Sequence, residues 1–103
     1  MIYTNSMYYE GILQIRPNNE KVIEYIKDEI EKAGNVFISR EIVKKFGTDL
    51  YLTNKFFLSQ LSNKLRKKFN GEVKRSRSLY KISRMTSKEL TRLTICFRLT
   101  KDL

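Results

Sequence analysis

Histidine is absent from this 103-residue chain, and cysteine occurs once, at Cys96. Without histidine there is no Ser-His or Cys-His nucleophile system, and most catalytic zinc sites lose their usual ligand. A lone cysteine makes neither an internal disulfide nor a zinc site. Glycine is scarce, with four residues, and no glycine-rich phosphate loop is present. Proline occurs once, so no Pro/Gly-rich linker divides the chain. No apolar run approaches the roughly 18 residues that span a bilayer. Residues 1–9 lack a charged stretch followed by an apolar one, so no secretory signal is expected. These absences point to one domain in a reducing, cytoplasmic compartment, without cofactor, metal or small-molecule substrate.

Acidic residues are also few. Asp and Glu total 11 against 21 Lys and Arg, a net charge of +10, while 41% hydrophobic residues suffice for one modest core. The imbalance is local. Residues 1–54 carry 7 basic and 8 acidic side chains, residues 55–103 carry 14 and 3. With no repeat and no low-complexity tract, this marks a face of one domain rather than a tail. The partner implied is a polyanion, most often nucleic acid and less often an anionic membrane surface.

The first element reads as a strand over Met7–Ile15, with Tyr9, Leu13 and Ile15 on one side and Glu10, Gln14 and Arg16 on the other. Ile12 breaks the alternation. Pro17 ends the strand and Asn18 is the expected N-cap of a helix over Asn19–Ala33. Val22, Ile23, Ile26, Ile30 and Ala33 make its apolar stripe, and Gly34 stops it. Residues 36–53 read as two short strands, Val36–Ser39 and Asp49–Thr53. Between them lies a polar stretch in which Arg40–Lys45 suits a helical turn. A second helix follows over Asn54–Phe69, with Thr53 as N-cap, a stripe of Phe57, Leu58, Leu61, Leu65 and Phe69, and Asn70–Gly71 as its close. A hairpin ends the chain, with arms Val73–Arg84 and Leu90–Thr100 and a turn over Met85–Lys88. Leu93, Ile95, Phe97 and Leu99 alternate cleanly with Arg92, Thr94, Cys96 and Arg98. The order β-α-β-β-α-β-β predicts an α+β fold, one mostly antiparallel sheet with both helices on one face and the other face polar and open to a partner.

The basic residues cluster. Lys64, Arg66, Lys67 and Lys68 sit on the second helix, and Lys74, Arg75 and Arg77 follow just past the Asn70–Gly71 turn. Lys81 and Arg84 extend the series. Cations so arranged, with acids nearly absent, form a candidate phosphate-contacting surface whose binding should fall steeply with salt. Arg75 and Arg77 share a strand side with Val73 and Leu79, whereas Lys74, Ser76 and Ser78 share the other with Tyr80 and Ile82; a bulge is expected to re-aim the arginines, and the side they present is left open. Tyr3, Tyr8, Tyr9, Tyr51 and Tyr80 are capable of stacking on bases. No RNA-recognition-motif aromatic signature is present, however, so core or interface roles weigh more for most of them. Phe57, Phe69 and Phe97 belong to the core.

Catalytic readings are weak. Glu20, Glu24, Asp28, Glu29 and Glu31 form a solvated face with Lys27 and Lys32. Asp49 suits a turn or cap better than chemistry, and Cys96 suits a small half-buried strand position. Membrane-surface binding would need the apolar face of the second helix, which the core requires. The residues suggest no enzyme.

Four segments resemble, in order, the middle region of the nonsense-mediated-decay-protein-three family of archaea and eukaryotes. They are Tyr8-Tyr9-Glu10-Gly11-Ile12-Leu13-Gln14-Ile15-Arg16, Gly47-Thr48-Asp49-Leu50-Tyr51-Leu52-Thr53, Phe69-Asn70-Gly71-Glu72-Val73-Lys74 and Arg92-Leu93-Thr94-Ile95-Cys96-Phe97-Arg98-Leu99. In eukaryotes that family is the nuclear-export adaptor of the large ribosomal subunit. The resemblance implies an α+β unit like the large-subunit eukaryotic ribosomal protein twenty-two, with no catalytic residues. It also implies contact between Lys64–Lys81 and ribosomal RNA or neighbouring ribosomal proteins. The family's paired Cys-x-x-Cys zinc module is not in this chain, nor are its β-rich domains and export-signal tail, so the chain is expected to be a fragment or shortened homologue. Nucleocytoplasmic shuttling would apply only to a eukaryotic full-length protein.

The expectation is a monomeric, non-enzymatic domain that binds the large ribosomal subunit through ribosomal RNA. Reversing the charge of Lys67, Lys68 and Arg75 together should then weaken binding and leave the thermal melt nearly unchanged. Two rivals stand beside it: a module docking an acidic protein, and a generic RNA binder without preference for ribosomes.

Overall fold

The computed structural model describes residues 2–82 and 89–99. Its elements are β1 (Gly11–Arg16), α1 (Glu20–Ala33), β2 (Ile38–Lys44), β3 (Gly47–Leu52), α2 (Lys55–Lys68), β4 (Gly71–Ile82) and β5 (Glu89–Leu99). The order is the expected one. The five strands form one sheet in the sequence β2-β3-β1-β5-β4, antiparallel except for the β1–β5 pair. The Met85–Lys88 turn of the last hairpin lies outside the described residues.

Both helices cover one side of this sheet. Leu13 and Ile15 of β1, Leu50 and Leu52 of β3, and Leu93, Ile95 and Phe97 of β5 point to that side. There they meet Val22, Ile26 and Ile30 of α1 and Leu58, Leu61 and Leu65 of α2, all buried in one core. Ala33, assigned to the α1 stripe, is exposed instead. Burying each leucine of α2 contributes about 1.5–3 kcal/mol, which holds a helix whose last turn is Arg66, Lys67 and Lys68. Gly11 admits α2 to the sheet, since a Cβ there would lie 2.5 Å from Leu58 Cδ2 and 3.0 Å from the Leu93 carbonyl oxygen. Gly34 ends α1 in the left-handed region, at φ 75°.

Several boundaries differ from expectation, each for a local reason. Asn19, not Asn18, caps α1, its side-chain oxygen accepting from the Lys21 and Val22 N–H groups. Asn18 instead donates to the Lys44 carbonyl and accepts from the Thr48 hydroxyl, tying the β1–α1 connection to the β2–β3 hairpin. Asn54, not Thr53, caps α2, accepting from Phe56 and Phe57, while the Thr53 hydroxyl accepts from the Phe37 N–H. Strand β1 starts at Gly11 rather than Met7, because the chain bends at Glu10 so that its carboxylate accepts from the Lys55 N–H at the start of α2. Gly71 opens β4 instead of closing α2.

The largest difference is at 36–53. The polar stretch is not a loop or helical turn but most of β2, joined tightly to β3 through Lys45 and Phe46. Edge position explains it. One side of β2 faces solvent, and on the helix side Glu41 bonds the Tyr3 hydroxyl and pairs with Lys27 at 3.3 Å. The N-terminal segment runs along the outer edge of β2 through a Tyr3–Ile38 bridge.

Candidate nucleic-acid interface

Alternation along β4 separates the cations that the sequence places in a row. Val73, Arg75 and Arg77 stand opposite Phe97, Ile95 and Leu93, on the helix side. Lys74, Ser76 and Ser78 stand opposite Cys96, Thr94 and Arg92, on the open side. The expected bulge does not re-aim the arginines: Arg75 and Arg77 pair in regular register, and the shift falls beyond them, between Leu79 and Lys81. Lys81 lies in β4 beyond that shift, and Arg84 lies outside the described residues.

Arg75 is not a free phosphate contact. Its guanidinium donates to Ser59 Oγ at 3.0 Å, Ser62 Oγ at 3.0 Å and Asn63 Oδ1 at 3.2 Å, so it clamps the outer strand to α2. A charge reversal there would break the fold's own contacts, which overturns the expectation of an unchanged melt for a Lys67, Lys68 and Arg75 variant. Lys64 is also engaged, its Nζ donating to Glu29 Oε1 at 3.0 Å. That hydrogen bond holds the Glu29 carboxyl below the usual carboxylate range and the Lys64 ammonium above the usual lysine range. Lys68 lies over the Tyr25 ring, 5.2 Å from its centroid.

Arg66, Lys67 and Arg77 are exposed and make no ion pair with any described residue. Arg66 and Lys67 border a shallow groove with Asn63. Arg77 lines a second groove of about 290 Å³ between α2 and the β4–β5 hairpin, whose walls include Lys55, Ser59 and Phe56. Phe56 is 73% exposed at its rim. Helix α2 and the near side of β4 therefore carry a cationic ridge, with Arg66 and Lys67 at one groove and Arg77 at the other. The nearest acid on α1, Glu29, is already taken by Lys64.

The open side of the sheet carries a second set of cations that reasoning along the sequence did not group: Arg16, Arg40, Lys44, Arg92 and Arg98. They come from three separate strands, and no local run announces them. Asp49 sits among them, in β3, and is neither a turn nor a cap. It is 4% exposed and pairs with Arg16 Nη2 at 2.7 Å and Lys44 Nζ at 3.2 Å. Of the tyrosines, Tyr3 and Tyr8 hydrogen-bond Glu41 and Glu10, and Tyr25 packs against Phe69. Tyr9 and Tyr51 meet edge to face on the open side. Cys96 is half-buried there, as expected.

Residues 8–99 match the family model for the second domain of NMD3, a stretch that takes in both helices and all five strands. The chain belongs to the NMD3 family. No curated protein matches it. Membership of the NMD3 family suggests a ribosome-related function. Among the described residues no helix is long and apolar enough to cross a membrane.

Proposed function

We propose that this domain binds the large ribosomal subunit, chiefly through ribosomal RNA and with neighbouring ribosomal proteins, during subunit biogenesis or maturation, and performs no chemistry of its own. The observation that carries the reading is the ridge of exposed cations, Arg66, Lys67 and Arg77, that the fold leaves without carboxylate partners among the described residues on a domain of the NMD3 family. Phosphates satisfy such a ridge. Each contact releases condensed counterions, so binding has a steep salt dependence. Lys68 and Arg75 add positive potential from fixed positions.

Co-sedimentation of the 103-residue chain with large subunits, small subunits and bulk RNA, at about 50 mM and about 200 mM salt, tests this. Selective large-subunit binding that survives the higher salt is the expected result. Arg66→Glu with Lys67→Glu should weaken it and lower the salt slope by about 2. Both side chains are exposed, so the loss of stability should be confined to the unfavourable meeting of the new carboxylates with the C-terminus of α2, about 0.5–2 kcal/mol. Equal binding to all three, lost at the higher salt, would reduce the ridge to a generic basic surface. Association that survives nuclease treatment of the complex would place an acidic protein there instead.

A further inference from the structure

We infer that the uncovered face of the sheet is a stacking platform for unpaired RNA bases, a second contact surface on the side opposite α2. A line of four side chains carries the inference. Arg92 lies on the Tyr9 ring, its Cζ 3.8 Å from the centroid, and is held there by bonds from Nη1 to the Tyr9 hydroxyl and from Nε to the Tyr9 carbonyl. The Tyr9 ring meets the Tyr51 ring at 4.8 Å and 82°. Arg40 closes the line, 5.9 Å from the Tyr51 centroid. Guanidinium, ring, ring and guanidinium thus run across strands whose other side is the core.

The register extends this line across the sheet. Arg40, Tyr51, Ile12, Thr94 and Ser76 are successive neighbours on β2, β3, β1, β5 and β4. Four strand spacings make roughly 19 Å, room for a short run of nucleotides. Tyr51 and Ile12 are half-buried and form the apolar floor. Cations flank that floor. Lys74 and Arg98 are exposed on one side of it, and Arg16 stands beside Arg98 in register. Asp49 is buried beneath Arg16 and Lys44, which leaves Glu72 as the exposed carboxylate among the described side chains of this face.

This chemistry selects the occupant. Bases stack on tyrosine rings and on guanidinium planes only when they are unpaired, because a duplex buries their faces. A purely electrostatic partner would gain nothing from the two rings. The tyrosines and Arg92 are held in place before any ligand arrives, so little ordering cost remains on binding. The choice of RNA over DNA rests on the ribosomal reading above; the preference for single strands does not.

The test uses the 103-residue chain, hexa-adenylate and a 12-base-pair RNA duplex. In an isotope-labelled sample, hexa-adenylate should shift the amides of Ile12, Tyr51 and Thr94. Tyr51→Leu keeps an apolar side chain and should weaken hexa-adenylate binding roughly tenfold, leaving duplex binding in place. Arg98→Glu, at an exposed position, should weaken it without disturbing the melt, so the proposal stays testable if Tyr51→Leu folds poorly. Arg66→Glu with Lys67→Glu should do the converse, impairing duplex and subunit binding only. Shifts confined to α2 and the near side of β4, or wild-type hexa-adenylate affinity in both face variants, would overturn the platform. Polyglutamate shifting the same three amides where hexa-adenylate does not would overturn it in favour of an acidic protein. None of these outcomes alters the subunit co-sedimentation result, so the two readings fail separately.

Discussion

Replacing Asp49 by asparagine removes the carboxylate that holds Arg16 and Lys44 on the open side of the sheet. The two partners are not equivalent. The Arg16 side chain is 14% exposed and the Lys44 side chain 40%. Without Asp49, Lys44 swings into water and loses under about 1 kcal/mol, as exposed pairs do. Arg16 keeps its bonds to the Ile15 carbonyl at 3.0 Å and the Thr48 carbonyl at 3.5 Å, its place over the Phe46 ring and a neutral amide oxygen at position 49, but no counter-charge among the described residues. Exchanging the charged acceptor for a neutral one forfeits part of a charge-assisted bond worth about 1.5–3 kcal/mol and leaves a largely desolvated guanidinium without a counter-charge. The expected destabilisation is therefore about 2–4 kcal/mol, less than the upper figures for a fully buried pair. In a domain of this size that lowers the Tm by about 10–20 °C. Chemical denaturation of Asp49→Asn, Lys44→Ala and the double variant Arg16→Met with Asp49→Leu checks the reasoning. Lys44→Ala should cost under about 1 kcal/mol, and the apolar double should recover most of the Asp49→Asn loss. A loss below about 1 kcal/mol for Asp49→Asn, or equal losses for Asp49→Asn and Lys44→Ala, would refute the assignment of Arg16 as the dependent partner.

Two further predictions concern the helix side. Arg75→Ala removes three bonds from β4 to α2 and should cost about 1–2 kcal/mol, with hydrogen exchange accelerated in β4 and unchanged in β1; uniform acceleration would refute a local clamp. The lowered Glu29 pKa means that its ion pair with Lys64 stabilises the fold above the ordinary carboxylate value and is lost as pH falls through the lowered one. The Tm gap between wild type and Glu29→Gln should accordingly be steady near neutrality and close as the pH falls below the ordinary glutamate value, and a gap independent of pH would show the pair to be inert.

Periodicity and charge were legible along the chain because they are local properties. Val22, Ile26 and Ile30 recur at helical spacing, and so do Leu58, Leu61 and Leu65; Leu93, Ile95 and Phe97 alternate. Those patterns determine α1, α2 and β5 without reference to anything distant. The asymmetry of charge between residues 1–54 and 55–103 is equally local to the sequence, and it is what points to an anionic partner. Most of strand β2, beyond Ser39, was illegible for the opposite reason. Its Arg40, Glu41 and Lys44 are polar because it is an edge, and whether a strand is an edge is decided by the whole sheet. Alternation put Arg75 and Lys74 on opposite sides of their strand, but only the tertiary structure decided which side is which, since that depends on how the strand joins the sheet: Arg75 went to α2 and Lys74 to the open face. Only the sheet order brought Tyr9, Tyr51, Arg40 and Arg92 together, from positions up to 83 residues apart. Local sequence determines the elements because helix and strand preferences act over a few residues; it does not determine a surface, because neighbours across a sheet are set by burial of the opposite face.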